Sequence, residues 1–428
     1  MLETPETLGH SHNPLVRYFK LLGPGLVTGA SDDDPSGITT YSVAGASLGY
    51  GMLWTALATF PLMAAVQLIC ARIGLVTGRG LAGAVRRHYP RPFLYAACLL
   101  LLAANVFNIA ADLAGMADAA QMLTGIPALV CVPLFGVAIL VVTVYASYAT
   151  LAGGLKWLTG ILFAYVAAAL LAKPDWRGAL VASVVPSLRW DSLYIATFVG
   201  VLGTTISPYL FFWQASQEVE EEKARGRRTA AQRRGATDHE LADARLDVNT
   251  GMFFSNLVMY FIILATASTL HRAGIFEIET AREAAEALRP LAGDAAYLLF
   301  AVGLIGTGVL AVPVLAGSAS FAVAEVFGWR AGLDLSPRRG RQFYLVFAGS
   351  IVAGMLLDLG GIPPIRMLFL SAVVNGLLAP PLLLLVMLVS NNRAIMGERT
   401  NGPWLNALGW TATAVMTAAA VAFFVTAQ

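Results

Sequence analysis

Three consecutive carboxylates, Asp32, Asp33 and Asp34, stand in a long apolar segment and are followed directly by Pro35. Charged side chains at the depth of a lipid bilayer are costly and are rarely there without a function. Proline lacks a backbone donor and, with glycines nearby, favours a break in the helix. A broken membrane helix that carries an acid at the break is typical of cation sites in transporters. The segment therefore predicts a cation site.

Asp34 is the acid best placed to hold a cation. The residue before a proline is pushed out of helical geometry, so the Asp34 side chain can point into a cavity at the break. The backbone carbonyls freed near Asp33 can bind the same ion. Asp34 can instead serve only as the N-cap of the following half-helix. That alternative explains one acid but leaves Asp32 and Asp33 unexplained.

A second break is predicted at Ser207-Pro208, in the sixth apolar segment. The carbonyls freed near Thr204, and the hydroxyl or carbonyl of Ser207, can approach the first break from the opposite side. Paired broken helices in the two halves of a chain indicate a central binding site. Tyr209 and Gln214 follow the break, where they either pack within the bundle or line the pore.

The third apolar segment carries a polar stripe. Asn105, Asn108 and Asp112 are spaced i, i+3 and i+7, which places them on one face of a helix. Such a stripe indicates a path for water or protons, and the alternative is a seam of interhelical hydrogen bonds. All five histidines lie in the N-terminal tail, in loops or at segment ends, so the sequence excludes a mid-membrane histidine relay.

The composition explains why these polar residues stand out. Of the 428 residues, 57% are hydrophobic and 13% are charged, with a mean hydropathy of +0.69. Soluble proteins carry about 25% charged residues, so we expect an all-α integral membrane protein whose surroundings are the lipid bilayer. The net charge of +2 is uninformative about nucleic acid, but no basic domain stands apart, so we expect no nucleic-acid partner. The sequence shows no nucleophile–base pair of the kind that would indicate an enzyme. It also indicates no obligate protein partner.

About eleven membrane spans of roughly 17 to 25 residues are expected. They lie at 18–46, 51–76, 93–123, 127–147, 152–172, 192–217, 248–270, 293–326, 342–358, 365–390 and 404–426. The first, sixth and eighth are interrupted by Gly or Pro. Lys and Arg are concentrated in alternate loops, after the even-numbered spans. This alternation predicts a cytoplasmic N-terminal tail (1–17) and an extracytoplasmic C-terminus in an inner (plasma) membrane.

The two predicted breaks each lie in the first helix of a group of five. A unit of five spans is inverted in the membrane when it is repeated, so we expect inverted repeats at 18–172 and 192–390. Helix 11, at 404–426, is an addition to them. Within the second repeat, 218–247 is expected to be a cytoplasmic loop with a helical tail. The stretch 277–290 is predicted to form a short amphipathic helix on the outer face.

The chain resembles the Nramp family of divalent-metal transporters, and within it a divergent branch, over nearly its whole length. The likeness is strongest from Gly23 to Gly51, at Ala111-Asp112-Leu113-Ala114 and at the second break. It implies the LeuT fold with broken helices 1 and 6. It also implies a site where an Asp, an Asn and a Met bind Mn²⁺ or Fe²⁺, and where a His serves proton movement.

Most of the positions that the resemblance assigns to this site are changed. The family's two aspartates are kept as Asp34 and Asp112. The other positions hold Gly37 for Asn, Ser207 for Met, Tyr209 for His, Gln214 for a second His, Asn105 and Gly115 for two Glu, and Ala372 for a Gln. Without the thioether the remaining ligands are oxygens, which suit hard ions such as Mg²⁺, Ca²⁺ or Mn²⁺.

Two functions of different kinds stay open. The first is a secondary transporter that moves divalent cations by alternating access, with Mg²⁺ or Mn²⁺ favoured, no resident cofactor, and H⁺ or Na⁺ coupling undecided. The second keeps the fold but carries a small organic solute or organic cation, which Asp34 would pair with and Tyr209 or Trp213 would stack on. A membrane sensor or scaffold is a third class, and the absence of a recognisable soluble domain argues against it.

Overall fold

The computed structural model describes residues 23–145 and 163–426, and all regular secondary structure within them is helical. The helices are α1 (Pro24–Asp32), α2 (Pro35–Leu48), α3 (Leu53–Thr77), α4 (Leu81–His88), α5 (Arg91–Thr124), α6 (Ala128–Tyr145), α7 (Phe163–Leu171), α8 (Trp176–Val184), α9 (Ser192–Thr205), α10 (Pro208–Ala224), α11 (Asp238–Thr269), α12 (Ala281–Ala285), α13 (Arg289–Ala292), α14 (Ala296–Phe327), α15 (Arg341–Asp358), α16 (Pro364–Asn391), α17 (Arg393–Met396) and α18 (Pro403–Thr426). Short 3₁₀ turns lie at Gly49–Met52, His271–Ala273, Glu286–Leu288 and Gly293–Ala295.

Each predicted span overlaps a described helix, and the first and sixth each overlap two half-helices. The first and fifth spans begin, and the fourth ends, outside the described residues. By length and hydropathy, eight helical stretches of the described chain can each cross a membrane. One of these stretches, Pro35–Thr77, holds parts of two predicted spans. The predicted all-α membrane architecture is therefore confirmed. The predicted N-terminal tail, 1–17, lies outside the described residues. The boundaries of the two predicted repeats, 18–172 and 192–390, stay a prediction.

Both predicted helix breaks are present. Helix α1 ends at Asp32 and α2 begins at Pro35, while α9 ends at Thr205 and α10 begins at Pro208. Each proline occupies the first helical position, where its missing N–H costs nothing and its fixed φ suits a helix start. The preceding residues, Asp34 and Ser207, are extended, with ψ of 171° and 128° respectively. The two breaks are thus built in the same way.

Two details of the sequence prediction were wrong. The eighth span is not interrupted, because α14 runs continuously from Ala296 to Phe327 through Pro313. Membrane helices tolerate an internal proline where neighbouring groups satisfy the freed backbone. The expected loop 218–247 is largely helical, since α10 continues to Ala224 and α11 already begins at Asp238. A capping box, in which Thr237 and Glu240 each bond the other's backbone, fixes that early start.

The predicted amphipathic helix at 277–290 forms as short turns instead of one helix. Helices α12 and α13 are joined by the 3₁₀ turn Glu286–Leu288. The first of them begins with a capping box between Thr280 and Glu283. These turns pack on α14, and Ala284, Ala285 and Leu288 are buried there.

Helix α1 lies tightly against α11. A Cβ atom at Gly25 would clash with the backbone of Val248, and one at Gly29 would clash with the backbone of Gly251. Small residues at a membrane-helix interface let backbones approach closely. The carboxylate of Asp247, on α11, also accepts the backbone N–H groups that open α1. This contact fixes the helix that leads into the first break.

The loops that follow predicted spans 2, 6, 8 and 10 meet at one end of the bundle, which we call the basic end. Gly235 N–H donates to the Val76 carbonyl over 2.9 Å, and Lys223 Nζ donates to the Ala331 carbonyl over 3.1 Å. Arg399 pairs there with Asp238. The alternation of charge along the sequence therefore corresponds to a real segregation of the loops.

Candidate functional site

The carboxylate of Asp34 lies at the first break and both of its oxygens are engaged. Oδ1 accepts the backbone N–H of Gly37 over 2.7 Å, so Asp34 is the N-cap of α2. Oδ2 accepts Asn108 Nδ2, on α5, over 2.9 Å. The capping role raised from the sequence is thus present. A carboxylate offers about four lone-pair sites, so these two bonds leave room for a cation as well.

Asp32 and Asp33 face a different neighbour. The hydroxyl of Ser255, on α11, lies 2.7 Å from Asp32 Oδ2 and 3.3 Å from Asp33 Oδ1. One hydroxyl has a single proton to donate, so it cannot satisfy both carboxylates at once. The other oxygen of Asp32, Oδ1, is buried and has no hydrogen-bond partner among the described residues. The break therefore presents acids towards two helices, α5 and α11.

The polar stripe on α5 is split by the structure. Ser36 Oγ lies 3.2 Å from both Asn108 Oδ1 and Asp112 Oδ1, and 2.6 Å from Ser371 Oγ on α16. Asn105 does not join this network, because its Nδ2 donates to the Leu315 carbonyl of α14 over 2.8 Å. Asn108 and Asp112 thus belong to the first break, while Asn105 forms the interhelical hydrogen bond that was the alternative interpretation.

At the second break the hydroxyl groups turn back onto their own helix. Ser207 Oγ lies 2.9 Å from the Gly203 carbonyl and 2.6 Å from the Thr204 carbonyl, and its single proton is shared between these two acceptors. Thr204 Oγ1 lies 3.1 Å from the hydroxyl of Tyr41 and 3.1 Å from the Val201 carbonyl. The Thr204 carbonyl, which the sequence suggests as a ligand, is therefore covered by Ser207 in this structure.

Tyr209 joins the two breaks. Its hydroxyl donates to the Ser31 carbonyl of α1 over 2.7 Å, and its own carbonyl accepts Ser318 Oγ of α14 over 2.8 Å. Gln214 lies further along α10 towards the basic end. There it accepts Thr28 Oγ1 over 2.5 Å and donates to Glu218 over 2.8 Å. Gln214 thus links α10 to α1 away from the breaks.

The sequence analysis missed three polar residues of the first break: Ser36, Ser255 and Ser371. Asn375 also reaches this network, because its Nδ2 donates to Asn108 Oδ1 over 3.3 Å. Serines are common on membrane helices as packing residues, so nothing in their type alone marks them. Their position opposite the break is set by which helix faces it.

The charge at this site is unusual. Asp32, Asp33, Asp34 and Asp112 are exposed by only 1%, 4%, 3% and 0%. Among the described residues, no Lys, Arg or His forms an ion pair with any of them. Within the described part of the chain, no group of three or more His, Cys, Asp or Glu side chains is arranged so that it could hold a metal ion. The donors at hand are carboxylates, hydroxyls and freed carbonyls, a set that suits a hard cation.

Comparison with known proteins agrees with this architecture. The family described as "Natural resistance-associated macrophage protein-like" (Nramp) matches residues 25–426. A relative from Pectobacterium carotovorum, named a divalent metal cation transporter MntH, is 27% identical over 91% of this chain and 90% of its own length.

Solved structures show the same fold. The manganese transporter of Eremococcus coleocola superimposes with a TM-score of 0.73, covering 99% of this chain and 89% of that one at 18% identity. The inward-facing conformation of Mhp1 gives a TM-score of 0.50 at 14% identity, over 95% and 91% of the two chains. The predicted LeuT-type fold is thereby confirmed. Since the family match spans almost the whole of the sequence, this chain belongs to the Nramp family.

Proposed function

We propose that this chain is a secondary transporter of divalent metal cations, with hard ions such as Mg²⁺ or Mn²⁺ favoured. Asp34 is the chief ligand. Oxygen atoms and nearby backbone groups of both breaks surround Asp34, and water completes the coordination shell of the cation. These surrounding positions are Asp33, Gly37, Thr204, Ser207 and Tyr209.

One observation carries the proposal: four buried carboxylates lie at the first helix break or directly beside it, and among the described residues no basic side chain forms an ion pair with them. Uncompensated charge is very costly in a low-dielectric interior. A positive ion is the natural complement of such a site. The relatives named above, which are named for moving divalent metals or manganese, support this choice over an organic solute.

The preference for hard ions is argued from the ligands themselves. Ser207 supplies a hydroxyl where a thioether would favour softer transition metals. Gly37 supplies no side chain next to Asp34, and a Cβ there would lie 3.4 Å from Asp34 Oδ1 and 3.1 Å from the Asp32 carbonyl. Because Gly37 offers no side-chain oxygen, water would have to complete the shell of a cation bound at Asp34, and Mg²⁺ usually keeps part of its water shell.

Transport would proceed by alternating access. In this scheme the half-helices α1 and α10 move against the rest of the bundle around a fixed site. The segregated basic end supports placing it, and the N-terminus, in the cytoplasm of a cell whose inner (plasma) membrane holds the protein. Asp112, Asn108 and Gln214 are the polar groups that a water or proton path would use, and H⁺ or Na⁺ coupling is compatible with them.

The deciding experiment is titration calorimetry of the purified protein with Mg²⁺, Mn²⁺, Ca²⁺ and Cd²⁺. Two variants separate the roles of Asp34. Asp34→Asn keeps an oxygen that can accept the Gly37 N–H but removes the charge, whereas Asp34→Ala removes both. We expect saturable heat from Mg²⁺ or Mn²⁺, lost in both variants, with Asp34→Asn folded as the parent. Unchanged metal binding in Asp34→Asn, or no heat from any metal, would overturn the proposal, and in the second case amines should be screened as substrates.

A further inference from the structure

A cavity of about 550 Å³ lies at the basic end between α4, α10, α14 and the segment that joins α10 to α11. It is lined by Arg79, Arg86 and Arg87 from the region of α4, by Lys223 at the end of α10, and by Arg233. A second cavity of about 470 Å³ shares Arg79 and Arg87 with it and adds Arg234 and His88. Cationic side chains from three separate segments thus converge on one place.

The positive charge of this cavity is only weakly offset. Among the described residues, Glu325 is the one carboxylate that lines the cavity. Both of its oxygens accept backbone N–H groups at the start of α4, from Gly80 over 2.7 Å and Gly83 over 2.9 Å. Lys223 pairs with Glu220. Among the described residues neither Arg79 nor Arg87 forms an ion pair.

Arg79 shows how crowded these charges are. Burial, followed by the neighbouring charge of Arg87, lowers the pKa of the Arg79 guanidinium; Glu325 partly opposes this shift, and Arg233 and Arg86 add to it. Like charges held this close repel each other unless an anion lies between them. The preference of Lys- and Arg-rich loops for the cytoplasmic side depends on the number of basic residues and not on their proximity. That preference alone therefore does not explain why these side chains converge on one cavity.

An exposed apolar surface adjoins the rim of the cavity. Trp329 lines it and stacks on Phe327, with ring centroids 4.9 Å apart. Phe327 is 54% exposed and stacks in turn on Tyr95, which is 47% exposed on α5. Leu99, one turn further along α5, is 66% exposed. Aromatic side chains at this level are typical of the membrane interface, so an apolar surface leads from the bilayer to the basic cavity.

We propose that this cavity binds the phosphate of an anionic phospholipid headgroup, with Arg79 and Arg87 as its main ligands and the acyl chains lying along Phe327 and Leu99. Guanidinium groups bind phosphate oxygens in a bidentate manner. The bound lipid would bridge α4 to α14 at the basic end, where α1 begins and α10 ends. The site is separate from the cation site at Asp34 and does not depend on the transported ion.

Native mass spectrometry of the delipidated full chain tests this site. Phosphatidylglycerol, phosphatidylcholine and inorganic phosphate are titrated in parallel. We expect phosphatidylglycerol to bind saturably and the other two to bind far more weakly. The variant Arg79→Gln/Arg87→Gln should weaken phosphatidylglycerol binding about 30-fold, which corresponds to about 1 kcal/mol for each arginine.

The matched control is Arg338→Gln/Arg339→Gln, which removes two exposed arginines from the same end of the bundle but outside the cavity. It should bind phosphatidylglycerol like the parent. The single variant Arg87→Gln guards against misfolding, because the Arg87 side chain is exposed and forms no hydrogen bond with the described residues, and it should weaken binding about fivefold. Equal loss in the control pair, equal binding of phosphatidylcholine, or equally tight binding of inorganic phosphate would each overturn the lipid assignment. None of these outcomes bears on metal binding at Asp34.

Discussion

The hydroxyl of Tyr209 donates a 2.7 Å hydrogen bond to the main-chain carbonyl of Ser31. This bond joins the first turn of α10 to the last turn of α1, so a residue of the second break satisfies a carbonyl freed at the first. A cation that uses the Ser31 carbonyl must compete with this hydroxyl. In this structure Tyr209 thus links the two breaks through one hydrogen bond.

Tyr209→Phe should make the protein less stable without metal and more responsive to it. Loss of the hydroxyl leaves the buried Ser31 carbonyl without its donor, at a cost of about 1–3 kcal/mol. A bound cation can take the vacated position. We expect a lower melting temperature in chelator and a larger rise on adding Mn²⁺ than the parent shows. Equal rises in the two proteins would mean that this carbonyl does not face the ion.

Asn108→Ala should weaken binding of the divalent cation about tenfold to 100-fold, the usual effect of removing a group that orients a ligand. Its Nδ2 donates to Asp34 Oδ2 and fixes that carboxylate. Asn105→Ala is the matched control, because it removes the same side chain from the same helix but breaks only a bond to the Leu315 carbonyl. Calorimetry on both variants decides the point. Similar losses of affinity would show a general effect of loosening α5.

How far the sequence predicts this site depends on the kind of feature. The breaks at Asp34-Pro35 and Ser207-Pro208 follow from local chemistry, because a proline after an acid or a serine acts on its own backbone wherever the chain lies. Which helix faces each side chain does not follow. Asn105 and Asn108 share one face of α5, yet they contact different helices, since α14 and α2 pack against adjacent parts of that face.

Ser255 illustrates the remaining gap. It lies more than two hundred residues after Asp32 and Asp33, and only the close contact of α1 with α11 brings it to them. The glycines at 25, 29 and 251 permit that contact, but a glycine-rich membrane chain offers many such pairs. The partners of the three acids therefore required the packed structure, whereas the acids themselves were recognisable from the sequence.

Ser207→Met should shift the selectivity towards soft ions. A methionine in this position adds a thioether next to the freed carbonyls of α9, and thioethers favour softer metals over Mg²⁺. We expect binding of Cd²⁺ relative to Mg²⁺ to rise about tenfold, as one added soft ligand warrants. Ser207→Leu, with similar bulk and no sulfur, should show no such rise. If leucine and methionine gave the same change, side-chain size and not ligand chemistry would account for it.

Asp247→Ala should release the start of α1 at the basic end. The carboxylate accepts three backbone N–H groups, from Gly23, Gly25 and Leu26, over 2.9, 2.6 and 3.0 Å. Removing a charged cap of this kind costs about 2 kcal/mol. Because local opening sets the rate of amide exchange, hydrogen exchange across Pro24–Asp32 should become about 30-fold faster.

Asp243→Ala provides the comparison for that experiment. Asp243 lies one turn earlier on α11 and pairs only with the exposed His239 among the described residues, so its loss should leave the exchange of α1 unchanged. Thr28, on α1, donates a hydrogen bond to Gln214 on α10. If α1 is the half-helix that opens towards the basic end, Asp247→Ala should also increase thiol labelling of the Thr28→Cys variant. Faster amide exchange without increased thiol labelling would mean that only the first turn of α1 opens. The remaining turns of α1 would then stay packed against α10 and α11.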